Sequence, residues 1–363
     1  MNQLHVTFFY PDHEDLVRFR TFDLNSSEPW LGAKSRRRAW VVQTYLRLRR
    51  AGYDVSISAD IPNHGILVVL AEGDFKQAFV RQFRRPNRQL FVLSIRADVE
   101  GFRTPFADAE IVQNGRFADD QRVFFIPHWP QPCLIPRDAA RGDTIRTISF
   151  KGRPGSLRQE FHSERFVRFL NENDLVLDEA VPRDGVQPAW HNYSTTDLVL
   201  AVRPDWSSSK LRCEKPASKL VNAWHAGAPA LVGPEYAFRE LRRSSLDFIE
   251  VDSVDETMAA ISKLTSQPRL YTAMVENGRI RAREFTPARI TAQWAEVLFE
   301  RLPEIASQRG FKLSRTIPLY ARSVLNVLMM PPTTLELRKQ AGQLLRQTTK
   351  RIRSRRIPRN MPA

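Results

Sequence analysis

The spacing of apolar positions along this chain switches back and forth between strand-like and helical periods. Residues 4–10 form an apolar and aromatic run with the length of a buried strand. Residues 35–51 take helical spacing, which puts Trp40, Val41, Tyr45 and Leu48 on one side. Short strands are predicted at 55–59 and 66–71, a helix at 76–85 around Ala78, Phe79 and Phe83, and further strands at 90–95, 110–112 and 122–126. Strands separated by helical segments predict βαβ units and a mainly parallel sheet. The proline-rich stretch 127–143 interrupts this order and reads as a linker.

A second α/β series follows the linker. It has a strand at 144–150, a turn at Lys151-Gly152-Arg153-Pro154-Gly155-Ser156, and an amphipathic helix at 159–173 with Phe161, Phe166, Phe169 and Leu170 on its core side. A buried strand at 197–202 leads into a polar loop, Asp205-Trp206-Ser207-Ser208-Ser209-Lys210, that looks mobile. Strands at 230–232 and 248–251 come next, then helices at 256–264 and 270–284 and one that Thr286-Pro287 introduces and that runs through Leu302. The end of the chain is different: residues 334–357 read as a basic helix with Leu335, Leu337, Leu344, Leu345 and Ile352 interspersed.

The length of 363 residues fits two domains, and 42% hydrophobic residues suffice for two cores. No apolar run reaches the roughly 18 residues of a membrane-spanning helix. The first ten residues lack a basic segment and a cleavage site, so they read as a strand and not as a signal peptide. Cys133 and Cys213 offer neither a disulfide framework nor a metal quartet. The net charge of +15 does change the picture, because it implies an anionic partner. It gathers at Lys34-Ser35-Arg36-Arg37-Arg38, at Arg81-Gln82-Phe83-Arg84-Arg85 and in the tail. The tail suits an anionic bilayer surface through residues 334–359, or is a solvated segment. No zinc-finger spacing or RNP-like aromatic string points to nucleic acid.

The stretch from Glu214 to Pro229 carries the most chemistry. Lys215, Ser218 and Lys219 stand just ahead of and within the first turn of a helix that Gly227 and Pro229 end. The unpaired N–H groups and partial positive charge of such a terminus seat a phosphate. An ordinary Ser-capped helix gives the same local pattern.

Two α/β domains, a proline-rich linker and the motif Lys219-Leu220, then Ala226-Gly227-Ala228-Pro229, resemble the GT-B glycosyltransferases, in particular the retaining family-4-like enzymes and their bacterial relatives. The resemblance spans about residues 85–300. Phe125-Ile126-Pro127-His128-Trp129 is similar to the turn that enters that family's interdomain linker, with His128 where the family often has Asn. Ile148-Ser149-Phe150-Lys151-Gly152-Arg153 is similar to its strand-end that binds the donor diphosphate, with Arg153 and Arg158 in the positions of the two cations. Guanidinium groups beside a Gly turn can pair phosphate oxygens in a forked geometry. The helix from Ser218 resembles the donor-binding helix, with Glu214 at the first of two carboxylate positions and Asn222 in place of the second.

The resemblance implies an α/β fold of two Rossmann-like domains facing a cleft, with a basic helical C-terminal extension. It implies an acceptor-side domain at 1–130, a linker at 131–143, a donor domain at 144–302 and the extension at 303–363. Arg153, Arg158, Lys215, Ser218 and Lys219 are expected to meet the donor diphosphate, and Glu214, Asn222 and Arg203 the sugar or ribose. Asp197 stands where such proteins read the nucleobase, or simply starts a strand. In the first domain Arg96 and Asp98 end a strand and join His13 as candidates for catalysis or acceptor binding, with an internal Arg–Asp pair as the alternative reading of the first two; the loop around Gly32 borders the same place. The implied activity is a hexosyltransferase-like transfer from a nucleotide sugar to a glycan or lipid-linked acceptor, with no cofactor and no metal. The location expected is the cytoplasm of a bacterium, at the inner face of the membrane if the tail binds lipid. The competing readings are a non-catalytic nucleotide-sugar or carbohydrate-binding protein on the same fold, and a basic membrane or nucleic-acid adaptor.

Overall fold

The computed structural model describes residues 4–22, 35–70, 89–97, 104, 107–153, 155–179, 189–204 and 215–307. The predicted helix at 76–85, the loop at 205–210, Gly32, Asp98, Glu214 and the basic tail lie outside the described residues.

The first unit contains β1 (Val6–Phe9), α1 (His13–Thr21), a π-helical turn Arg38–Val42 that continues as α2 (Gln43–Arg50), β2 (Val55–Ser58), β3 (His64–Leu70), β4 (Gln89–Arg96), β5 (Ala109–Val112) and β6 (Val123–Phe125). Its six strands lie in the order β2-β1-β3-β4-β5-β6, all parallel. From Gly65 to Leu70 every residue is buried, as a strand covered on both faces requires.

The second unit contains β7 (Thr147–Phe150), α3 (Glu164–Glu172), β8 (Val176–Glu179), β9 (Leu198–Ala201), α4 (Ser218–Ala226), β10 (Ala230–Val232), α5 (Tyr236–Arg239), β11 (Ile249–Glu250), α6 (Val254–Ser266) and α7 (Pro268–Ala282). Its sheet runs β11-β10-β9-β7-β8, again all parallel. Leu198, Leu200 and Val202 face one apolar cluster, Val199 and Ala201 the other, so alternate residues of β9 serve opposite layers. The helix expected at 159–173 is broken: a 3-10 turn at Gln159–His162 precedes Ser163, whose hydroxyl caps α3 by accepting from the Phe166 N–H.

The chain passes between the two units twice. Trp129 is buried in the first core and donates from Nε1 to Thr44 Oγ1 at 2.9 Å, whereas Gln131 N–H already donates to Asn222 Oδ1 of the second unit at 2.8 Å. The crossing is therefore Pro130, and the expected linker is docked on the second unit. At the other end, α8 (Pro287–Ala295), a π-helical stretch Glu296–Arg301 and α9 (Leu302–Ser307) return to the first unit. Ile290, Trp294, Leu298, Leu302 and Ile305 are buried in its core, and Phe299 stacks on Tyr53 at 5.0 Å. The apolar face of this helix is complementary to the first sheet, although sequence order assigns it to the donor domain.

Candidate donor site at the carboxyl edge of the second sheet

In open parallel sheets a ligand crevice opens beyond the carboxyl ends of the strands, where the strand order reverses. In the second sheet the reversal falls between β7 and β9. The turn Lys151-Gly152-Arg153 leaves β7 there, and Val202-Arg203-Pro204 leaves β9.

Gly152 and Lys219 meet at this point. A side chain at Gly152 would approach the Phe150 ring to 2.6 Å and Lys219 Nζ to 3.3 Å, so only glycine fits. Lys219 Nζ lies over the Phe150 ring, 5.2 Å from its centre. It belongs to the first turn of α4, whose N-cap is Ala217, a residue with no side-chain hydrogen bond to offer. Ser218 is the first helical residue and not the cap, so the ordinary Ser-capped helix is excluded. Gly227, at φ 71°, ends the helix as expected.

The other predicted residues fall into distinct roles. Arg153 is exposed on the same turn, and Lys215 is half-buried just before α4. Arg158 is a brace: it donates to the Arg203 carbonyl at 3.3 Å and, through Nη2, to Asp252 Oδ1 at 2.8 Å. Lys151 donates to Asp178 Oδ2 at 2.8 Å. Arg203 pairs with Glu235, which stands just beyond the carboxyl end of β10. Burial pushes the Glu235 carboxyl above its ordinary range, against the pull of Arg203, Lys219 and Lys215. Sequence reading missed Glu235, although its place right after Gly233-Pro234 at a strand's carboxyl end was the signal for it.

Asn222 was expected at the donor's ribose. Its side chain is 8% exposed, accepts from Gln131 N–H and hydrogen-bonds to the buried Tyr193, so here it ties the crossing segment to α4. Asp197 starts β9 from its amino end, opposite the crevice. Its carboxylate is fully buried and accepts from Arg137 at 2.8 and 3.0 Å, from Arg141 at 2.6 and 2.8 Å, and from the Arg146 and Thr147 N–H groups at 2.8 Å each. It anchors the docked linker at the amino edge of the sheet.

In the first sheet the reversal falls between β1 and β3. His13 is exposed at the start of α1, just past the carboxyl end of β1, in the place such a crevice requires. Beside it Tyr10 donates to Asp15 Oδ2 at 2.8 Å, and Arg38 pairs with the same carboxylate. Arg96 is instead internal: it is 4% exposed, with Nε 3.7 Å from Glu110 Oε1, whose carboxylate also accepts from Thr104 N–H at 2.6 Å.

The units also touch away from both covalent crossings. Gly115 N–H, in the turn after β5, donates to Glu240 Oε1 at 3.2 Å, and the Arg116 guanidinium lies 4.1 Å from the centre of the Tyr236 ring. Glu235, Tyr236 and Glu240 belong to one short segment, so this clasp and the Arg203 pair share a support.

Two parallel sheets, each with helices, and a terminal helix that returns to the first sheet are the arrangement of the GT-B fold, the fold of a large class of glycosyltransferases. Among solved structures, sucrose-phosphate synthase from Thermosynechococcus elongatus shares it at 13% identity and TM-score 0.52, over 84% of this chain and 100% of that one. Anabaena HepE in complex with UDP matches at 12% identity and TM-score 0.45, over 81% and 99%. TarM matches at 10% and 0.43 over 71% of this chain, which spans 58% of TarM. No protein-family model and no curated protein matches the chain. Among the described residues, no helix is long and apolar enough to cross a membrane, and no group of three or more His, Cys, Asp or Glu side chains is gathered as a metal site.

Proposed function

We propose that the chain is a glycosyltransferase that moves a sugar, a hexose in the simplest case, from a nucleoside-diphosphate sugar to a glycan or lipid-linked acceptor. One observation carries this reading: the Gly152 turn and the first turn of α4 converge at the strand-order reversal, with Lys219 Nζ against Gly152. Bond breaking at the sugar leaves negative charge on the departing diphosphate. Fixed cations and helix-terminal N–H groups stabilise such charge without reorganisation. Lys219, Lys215, Arg203 and Arg153 supply the cations, and the start of α4 supplies N–H groups that no cap side chain occupies. These groups do the work that a metal ion does elsewhere, so the proposal includes none. In this reading the acceptor enters from the first sheet's edge, and His13 takes the acceptor's proton if the reaction inverts. The proposed location is the cytoplasm, at the membrane face if the basic tail engages anionic lipid.

The test is a thermal-shift series of the full chain with nucleoside diphosphates and their sugars, since a ligand bound only by the folded state raises its apparent stability. Lys219→Ala and Arg153→Ala are expected to remain folded and to lose the shift. Full shifts in both variants would remove the phosphate site from this edge.

A further inference from the structure

A carboxylate among the cations of a phosphate site opposes the ligand's charge, and Glu235 is such a group. Gly233-Pro234-Glu235 leaves β10 beside the point where Arg203 leaves β9, its neighbour in the sheet. The Glu235 N–H donates to Gly233 O at 2.7 Å, so the turn itself sets the position of the side chain. One carboxylate oxygen holds Arg203 Nη1, and the other is buried with no hydrogen-bond partner among the described residues. The charged groups facing it are Arg203, Lys219 and Lys215, from two different segments. An acceptor kept buried and half-satisfied costs stability, so its retention calls for a role.

We propose that Glu235 determines which anion the site holds: its carboxylate occupies Arg203 when the site is empty and disfavours the more highly charged of two phosphate ligands. This rests on the donor-site reading above. The Glu235 carboxylate lowers by one the positive charge that Arg203, Lys219, Lys215 and the exposed Arg153 offer an anion. The diphosphate diester of a nucleotide sugar carries two negative charges. A released nucleoside diphosphate gains further charge on its terminal phosphate, whose second ionisation lies near pH 6. That extra charge meets the Glu235 carboxylate. Glu235 thus speeds the exchange of product for donor, and it positions Arg203 between turnovers.

The experiment uses two probes that need no nucleobase: inorganic pyrophosphate, which carries the extra charge, and P1,P2-dimethyl pyrophosphate, fixed at two charges. Affinities are measured calorimetrically on the full chain at pH 8. Glu235→Gln is expected to tighten pyrophosphate binding about tenfold, about 1.4 kcal/mol, and dimethyl pyrophosphate, with two charges to pyrophosphate's three, by no more than about fivefold. The difference between the variant and the natural protein closes as the pH falls and Glu235 takes up a proton. Arg203→Gln, which leaves the carboxylate unopposed, is expected to weaken pyrophosphate more than its dimethyl ester, and this holds the proposal to account if Glu235→Gln does not fold. Binding of both probes with no selective gain in Glu235→Gln, or no selective loss in Arg203→Gln, overturns the role of Glu235 and leaves the phosphate site standing. Binding of neither probe by the natural protein overturns both.

Discussion

Asp197→Asn isolates the anchor that holds the docked linker to the second unit. The native carboxylate is fully buried and shared by two guanidinium groups and two backbone N–H groups. Asparagine keeps the shape, but it removes the charge and turns an amide N–H₂ toward donors. Arg137 is itself 6% exposed, so its charge loses its partner without gaining water. Breaking a buried ion pair from one side costs about 3–5 kcal/mol. Urea unfolding at pH 7 should therefore show a midpoint lower by about 1–2 M with little change in slope. The pH dependence has a definite sign. Burial alone would raise the Asp197 pKa, but hydrogen bonds from Arg141, the Arg146 and Thr147 N–H groups and Arg137 outweigh it and hold it below its ordinary value. A depressed carboxyl pKa contributes stability that is complete above the unfolded value of about 3.9 and is lost as pH falls through the folded value. The gap between the natural protein and Asp197→Asn should thus be constant from pH 7 to 5 and narrow below about pH 4. A loss under about 1 kcal/mol at pH 7, or a gap that widens toward acid, refutes the assignment.

Gly152→Ala should abolish nucleoside-diphosphate thermal shifts and destabilise the fold by about 1–3 kcal/mol, because the added methyl must displace Phe150 and press on Lys219; an unshifted melting temperature and intact binding would count against the turn geometry. Glu240→Ala, which removes the acceptor, should loosen the clasp to Gly115, with a larger radius of gyration by solution scattering. Burial raises the Glu240 pKa, so its stabilising effect is greatest at low pH and declines as pH rises through the folded value. The alanine variant should show a radius of gyration that does not change with pH over that range, and a slope identical to that of the natural protein would exclude Glu240 as its source.

Much of this architecture was legible in the chain. Fully buried parallel strands read as uninterrupted apolar runs, so β1, β3, β4, β7, β9 and β10 stood out. Thr286-Pro287 announced α8 because a Thr cap followed by Pro at the first helical position is a strong start signal. By contrast β8 was hidden: Val176-Leu177-Asp178-Glu179 is a half-exposed edge strand with no apolar run to reveal it. For the site, the Gly152 turn and the α4 start could be named from local pattern. The partners that Arg96, Arg158, Asn222 and Asp197 take could not, since each comes from a separate part of the fold. Position 222 is instructive. A family template made it a ligand contact, whereas Gln131, 91 positions away, presents the N–H that its oxygen accepts.

The two crossings between the units are short, and each contains a proline: Pro130 between Trp129 and Gln131, and Pro287 between Phe285 and Ile290. A body pinned to another at two stiff points keeps one easy freedom, rotation about the line through the pins. The cleft of this protein should therefore open along a single arc, with twisting and sliding of one sheet over the other suppressed. The contact of Gly115 and Arg116 with the Tyr236–Glu240 segment joins the units at a third place. It hangs on the same few residues that present Glu235 to Arg203, so a shift of that short segment would move both contacts together.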